Sequence, residues 1–358
     1  MAFTTIDDPG LYFNTVIWSG DGTTPRTISG VGFQPDWVWL KHRGGSGTRD
    51  HYLSDVVRGA TKSLNSNTSD AEVTSESNGH TSAFTSDGFT VVNGGNSVGE
   101  VNDSSRTYVA WNWKAGGSAS SNSDGDITSS VSANQTAGFS IVTYTGTSTA
   151  TDTVGHGLGT KPGWIIVKER DGTNHWCVAL PDTLGNNEVM TLNLTNAIFA
   201  GSAGFNDTVN TGTTSSVYVT GNGDITGKNG SDYVAYCFVE KQGYSKFNSY
   251  KGTGNADGAF VYTGFKPAWV MIKRTDSSSG GNWLILDSKR SDINVVNENI
   301  SANLSDAETS VDTCDFLSNG FKLRQSGTTV NTSGGTYIYM AFAESPFVNS
   351  NGVPNNAR

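Results

Sequence analysis

Three stretches of this chain alternate large apolar side chains with smaller or polar ones: TYVAWNW, DYVAYCF and TYIYMAF. Val109, Trp111 and Trp113 fall on one face of the first, Val234, Tyr236 and Phe238 on that of the second, and Ile338, Met340 and Phe342 on that of the third. The opposite faces carry Tyr108, Ala110 and Asn112, then Tyr233, Ala235 and Cys237, then Tyr337, Tyr339 and Ala341. A period of two with one heavily apolar face predicts half-buried strands, each opened by a tyrosine. A second type of stretch is apolar on both faces, as in Trp37 and Trp39 against Val38 and Leu40. It predicts a central strand, with Pro35 placed just before it, where no ladder donor is needed. Runs such as Gly44–Gly47, Ser19–Gly22 and Thr220–Gly223 have turn chemistry. Helical periodicity is weak. The phrase SDAE at Ser69–Glu72 and Ser305–Glu308 matches a capping box, so a short helical turn is expected at each.

These stretches recur in one order. GFQPDWVWLKHR, TKPGWIIVKER and GFKPAWVMIKR each hold Pro-x-Trp, at Pro35/Trp37, Pro162/Trp164 and Pro267/Trp269. A lysine follows each Trp by four residues, at Lys41, Lys168 and Lys273, and an aspartate by eighteen, at Asp55, Asp182 and Asp287. Phe13, Phe139 and Phe247 stand upstream, and Tyr108, Tyr233 and Tyr337 downstream, at nearly constant offsets. Internal self-similarity at this length implies repeated units. The reading is an all-β chain of three tandem antiparallel β-sandwich modules, jelly-roll- or lectin-like, with short helical turns. The modules span 1–115, 138–241 and 242–358, the last including a polar tail. Residues 116–137, rich in Gly, Ser and Asn, read as a flexible linker or one ordered only by its neighbours.

At 358 residues the chain is long enough for two or three domains. Its 44 glycines and 16% charged residues suit many short strands and turns. A net charge of −10 would repel a phosphate backbone, so no nucleic-acid partner is expected. Cys177, Cys237 and Cys314 have neither the even count of a disulfide framework nor zinc spacing, and read as buried thiols. No apolar run approaches a membrane span, and the N-terminus MAFTTIDDPGLYF lacks the apolar region of a secretory signal. The expectation is synthesis in a cytoplasm, with no membrane insertion.

The candidate chemistry is thin. Asp70/Glu72 and Asp306/Glu308 could form a glycosidase acid/base pair, but their duplication favours capping. Asp55, Asp182 and Asp287 could contact a ligand or anchor an ion pair, with Arg58 and Arg290 three residues after the first and third. His42, His51, His80, His156 and His175 lack zinc spacing, and no Gly-x-Ser-x-Gly elbow occurs. GHGLG (Gly155–Gly159) leads into a strand rather than a helix N-terminus, so it is a poor phosphate loop. Ser123–Asp126 and Asn222–Thr226 read as polar turns rather than calcium loops. Trp18, Trp39 and Trp176 do not recur at matching offsets, so one on a rim could stack on a sugar, although core burial is favoured. No catalytic, cofactor-binding or metal residue is assigned, and no cofactor is expected.

HYLSDVVRG, SNTSDAE, FTSDGFTV and TYVAWNWKAGG resemble a β-rich repeat domain of unknown function found in virion, tail-fibre-like proteins of marine tailed bacteriophages. GHGLGTKPGWIIVKER resembles a related tail-fibre module, and GFKPAWVMIKR, FLSNGFKLR and TYIYMAFAESPF resemble the C-terminal unit of such chains. The resemblance implies a structural protein of the virion and carries over no catalytic residue. The first expectation is a tail fibre or tail appendage used in host adsorption. The alternative is a capsid decoration or head-fibre protein, and the less favoured one a polysaccharide-degrading enzyme. Expected partners are other virion proteins, copies of the chain in a homo-oligomer (a trimer first), and a host surface glycan or receptor.

Overall fold

The computed structural model describes residues 3–45, 47–94, 101–185, 188–200 and 212–355. Ser46 of the expected Gly44–Gly47 turn and the last three residues of the polar tail lie outside the described residues. The first unit holds β1 (Phe13–Ser19), β2 (Arg26–Ser29), β3 (Trp37–Gly44), β4 (His51–Asp55), β5 (Gly59–Leu64), β6 (Val73–Thr74), β7 (Gly79–Thr85), β8 (Gly88–Asn93) and β9 (Thr107–Trp113). The second holds β10 (Ser120–Asn122), β11 (Ser129–Asn134), β12 (Phe139–Thr145), β13 (Thr153–Gly155), β14 (Trp164–Glu169), β15 (Cys177–Ala179), β16 (Glu188–Thr191), β17 (Phe199–Ala200), β18 (Val217–Val219) and β19 (Asp232–Phe238). The third holds β20 (Ser245–Lys251), β21 (Phe260–Tyr262), β22 (Phe265–Arg274), β23 (Leu284–Asp287), β24 (Val296–Ser301), β25 (Thr309–Leu317), β26 (Gly320–Leu323) and β27 (Thr336–Pro346). Helix is confined, among the described residues, to the 3-10 turn Pro9–Leu11 and the single residue Gly212.

The three units share one strand order, β1-β9-β3-β4, β12-β19-β14-β15 and β20-β27-β22-β23, all antiparallel. The Pro-x-Trp strand is central in each, as its two apolar faces predict. Registers agree as well: Trp37 faces Trp113, Trp164 faces Phe238, and Trp269 faces Phe342. At the other end of the sheets an aromatic stacks on the opening tyrosine. The pairs are Trp18–Tyr108 at 5.3 Å, Tyr144–Tyr233 at 5.1 Å and Tyr250–Tyr337 at 5.1 Å. Each tyrosine hydroxyl accepts the backbone N–H five residues upstream, from Asp103, Lys228 and Thr332. Trp18 is therefore one case of a general aromatic position. Phe247 is not the counterpart of Phe13: it faces Met340, two residues further along its strand, and Ser245 holds the matching place.

Each unit is a two-layered sandwich. In the first, the sheet of β2, β8 and β7 covers the outer face of β1, β9 and β3, enclosing Val38, Leu40, Phe89, Val91 and Tyr108. Corresponding cores lie in the second and third units, around Val142, Ile165 and Tyr233 and around Val270, Phe316 and Tyr337. The inner faces of all three sheets meet in a single further core, which takes Trp37, Trp111 and Trp113 together with Phe139, Trp164 and Phe238 and with Trp269, Met340 and Phe342. The closing strands, expected to be half-buried, are thus buried on both faces. The magnitude explains why. The inner face of the first unit carries Phe13, Trp37, Trp39, Trp111 and Trp113, which at about 150–250 Å² each would expose roughly 750–1250 Å². That exceeds the roughly 300–600 Å² of the largest apolar patch on a typical monomer, so the units close on one another.

One expectation narrows and another needs correction. Of the two readings of residues 116–137, the structure shows the stretch ordered by its neighbours: β10 and β11 extend the second sheet beyond β12, with Val131 buried beneath. Neither SDAE phrase begins a helix; Ser69–Glu72 and Ser305–Glu308 are extended loops. Their glutamates bond instead to arginine side chains, the two-pronged guanidinium meeting both carboxylate oxygens.

Candidate functional site: the junctions between units

The polar residues singled out in the sequence gather at the seams where units meet. The β-turn after β4 places Asp55 so that one carboxylate oxygen accepts the N–H groups of Val57 and Arg58. The other oxygen ion-pairs with the Arg58 side chain and accepts the Tyr236 hydroxyl of the second unit at 2.8 Å. Asp287 repeats the geometry with Lys289 and Arg290, and its outer partner is the indole N–H of Trp111 in the first unit, at 2.9 Å. Arg290 also lies over the Trp111 ring. Tyr236 and Trp111 hold the same register position on β19 and β9. At the remaining junction the matching pair is Leu180 and Met340, both buried and apolar. Asp182 keeps the sequence spacing but not the register. It stands two residues beyond Leu180, exposed, and pairs with Lys161 at 2.8 Å.

The glutamates of the two SDAE phrases join neighbouring units. Glu72 binds Arg58 of its own unit and Arg170 of the second. Glu308 binds Arg290 of its own unit and Arg43 of the first. Burial works against both charges, but the facing arginines outweigh it and hold each carboxyl below its ordinary value. For Arg58 too, burial opposes the charge, and Asp55, Tyr236 and Glu72 more than offset it. Arg43 and Arg170 were missed in the sequence, although both sit two residues after a repeated lysine, in KHR and KER.

The repeated lysines are fully buried and do not pair with the aspartates. Lys41 donates to the carbonyls of Arg49 and of Ser305 in the third unit. Lys273 donates to those of Thr195 and Asn196 in the second unit. Lys168 donates to Glu169 and Gly172 within its own unit. Burial lowers Lys168 to about 8 and Lys273 to about 7. Beside each lysine a ring nitrogen reaches the next unit: His51 to the Ser301 carbonyl, Trp176 to that of Asn65 and Trp283 to that of Thr191. Trp176 thus has a counterpart in Trp283, hidden by a difference in loop length. Trp18, Trp39 and Trp176 are all buried, so none forms a sugar-stacking rim.

The other candidates stay apart. His42, His51 and His156 are buried in different places; burial lowers each, His42 to about 4. His80 bonds to the Glu76 carbonyl and His175 to Asn193. The three thiols are free and buried, and burial raises each. In GHGLG, Gly157 and Gly159 take positive φ before β14, and no helix follows. Asp126 of the expected polar turn accepts from Thr153, and Thr226 bonds to the Gly221 N–H. Among the described residues no group of three or more metal-ligating side chains is found, and no helix there is long and apolar enough to cross a membrane.

Where the central strands begin, each junction opens into a crevice. One of about 570 Å³ lies between the first and second units, with Asp36, Lys114 and Gln135. One of about 290 Å³ lies between the second and third, with Lys161, Asp182, Glu240 and Lys246. One of about 310 Å³ lies between the third and first, with Asp8, Lys289, Asp292 and Glu344. Each lining mixes acids with lysines.

No curated protein and no solved structure matches the chain. One family model, described as Domain of unknown function (DUF7483), matches residues 8–346 and so takes in all three units together with the core they share. The chain belongs to the DUF7483 family of domains of unknown function.

Proposed function

We propose that the chain is a structural, non-enzymatic component of a bacteriophage particle, in the first place a tail fibre or tail appendage used in adsorption to the host. The observation that carries this reading is where the ionisable chemistry goes. Glu72 and Glu308, the glutamates of the two SDAE phrases, are held by Arg58 and Arg170 and by Arg290 and Arg43. A carboxylate kept ionised by two guanidinium groups is a poor general acid and a good fastener. The phrases resembling tail-fibre modules point the same way. The partners of this reading are other particle proteins, a host surface glycan or receptor, and copies of the chain in a closed trimer.

A second reading, a capsid decoration or head-fibre protein, draws on the three mixed-charge crevices arranged around one core. They suit contact with several neighbouring subunits at once. Immunogold labelling of intact particles with antibody against this chain distinguishes the two. Gold on the tail supports the first reading, gold over the capsid supports the second, and particles without gold overturn both. Sedimentation of the purified chain tests the trimer: three times 37.8 kDa supports it and a single chain removes it.

A further inference from the structure

The sandwich of the second unit is closed along one side, and that of the third is open. In the second unit β11 pairs with β12, from Ser130 opposite Thr143 to Asn134 opposite Phe139. Just before β11, Ile127 bridges Val154 on outer strand β13. Residues 120–134 therefore run along the gap between the inner and outer layers. Gly157, at φ +70°, has Val131 Cγ1 and Ala133 Cβ at 3.0 and 3.1 Å from where its own Cβ would stand, so a glycine is needed for this strand to fit.

In the third unit the corresponding inner edge is β20, the last strand of its sheet, and the corresponding outer strand β21 ends that sheet the other way round. No strand of the described residues lies between them. One large aromatic, Tyr262 at 59% exposure, stands at the rim of the gap. A crevice of about 340 Å³ opens at one end, lined by Ser245, Lys246, Tyr262, Gly264 and Phe347. The outward N–H groups of Phe247 and Ser249 bond to the Glu240 carboxylate and the Asn248 side chain, the contacts that an incoming strand would replace. Edge β1 of the first unit also lacks a partner strand among the described residues. Its large exposed apolar side chain is Ile17, and the neighbouring β2 shows Thr27 and Ser29 to solvent, so it offers less to bury.

We propose that the gap between β20 and β21 takes an extended polypeptide segment from a partner protein as an added strand. The chain itself shows what such a segment looks like: Ser129–Asn134 alternates small apolar residues, Val131 and Ala133, with Ser and Asn. Main-chain hydrogen bonds to β20 would supply affinity, and the small apolar side chains, turned into the sandwich as Val131 and Ala133 are in the second unit, would supply selectivity beside the Tyr262 rim. The inference goes beyond the particle role and does not rest on it.

The test uses the full chain and a labelled synthetic peptide of residues 118–136. Saturable binding is expected, with new hydrogen-exchange protection over 245–251. Ser249→Pro, which leaves pairing to β27 intact because the Ser249 N–H points outward, should weaken binding at least about tenfold. Tyr262→Ser should do the same without touching the backbone, and Ile17→Ser should have no effect. No saturable binding below about 1 mM would overturn the proposal. So would protection at 139–145, meaning exchange with the chain's own β11, or affinity unchanged in both third-unit variants.

Discussion

Replacing Arg58 by methionine isolates the chemistry of one junction. Arg58 and Asp55 are fully buried, and the guanidinium also serves Glu72, the Leu53 carbonyl and the Tyr236 hydroxyl. Arg58→Met leaves a buried carboxylate without its counter-charge, a change that costs about 3–5 kcal/mol. Asp55 would still accept two backbone N–H groups and the Tyr236 hydroxyl, so the lower end, about 3 kcal/mol, is expected. The third junction supplies the compensation, because Leu180 and Met340 occupy the matching places there. The triple change Asp55→Leu, Arg58→Met and Tyr236→Met makes the first junction resemble it and should recover most of the loss, since well-packed apolar groups often replace a buried ion pair at little cost. Urea denaturation followed by tryptophan fluorescence reads both. A loss below about 1 kcal/mol for Arg58→Met, or a triple variant no more stable than the single one, would refute the reasoning.

Further outcomes follow from the same geometry. Glu72 and Glu308 have folded pKa values below the ordinary 4.5. Their contribution is therefore complete above that value and lost as pH falls through the lowered one; the urea midpoint should drop over this range, and less so in Glu72→Gln. Lys273 behaves oppositely. Its folded value of about 7 lies below the ordinary 10.5, so the unfolded chain binds more protons in between. Stability should rise from this group as pH goes from about 7 to about 10.5, a slope that Lys273→Met removes in the same titration. Trp283→Phe deletes the bond to the Thr191 carbonyl and should cost about 1 kcal/mol in urea unfolding. Cys177, Cys237 and Cys314 should react with Ellman's reagent only after unfolding; rapid reaction of the native chain would contradict their burial.

Much of the fold was legible in the sequence, and the reasons are local. Alternation along 107–113 and its counterparts, and the doubly apolar Pro-x-Trp strands, report strand faces directly, so strand type, central placement and the opening tyrosine all follow. The shared core was not legible. Trp111 and Trp113 mark a buried face, but a period of two says nothing about whether that face meets a second layer or another unit. Spacing misled in three places. Asp182 keeps its offset and loses its register; Phe247 stands 20 residues before its proline where Phe13 stands 22, and the matching offset falls on Ser245; Trp176 hides its kinship to Trp283 because a loop changes length. The junction ion pairs were least accessible, since Arg43 and Glu308 are 265 residues apart and no local pattern links them. SDAE was read as a cap because the spacing fits one; only the tertiary structure brings in the arginines that compete for its glutamate.

The three units share one core and should stand or fall together. Native-state hydrogen exchange of the intact chain tests it, comparing β9, β19 and β27 in rising denaturant. Each of these strands has one face in the common core and the other in its own unit's core. All three should converge on one opening free energy and exchange in a single cooperative event. A unit whose closing strand opened well below the others, leaving their protection intact, would show three independent sandwiches on a string and contradict it.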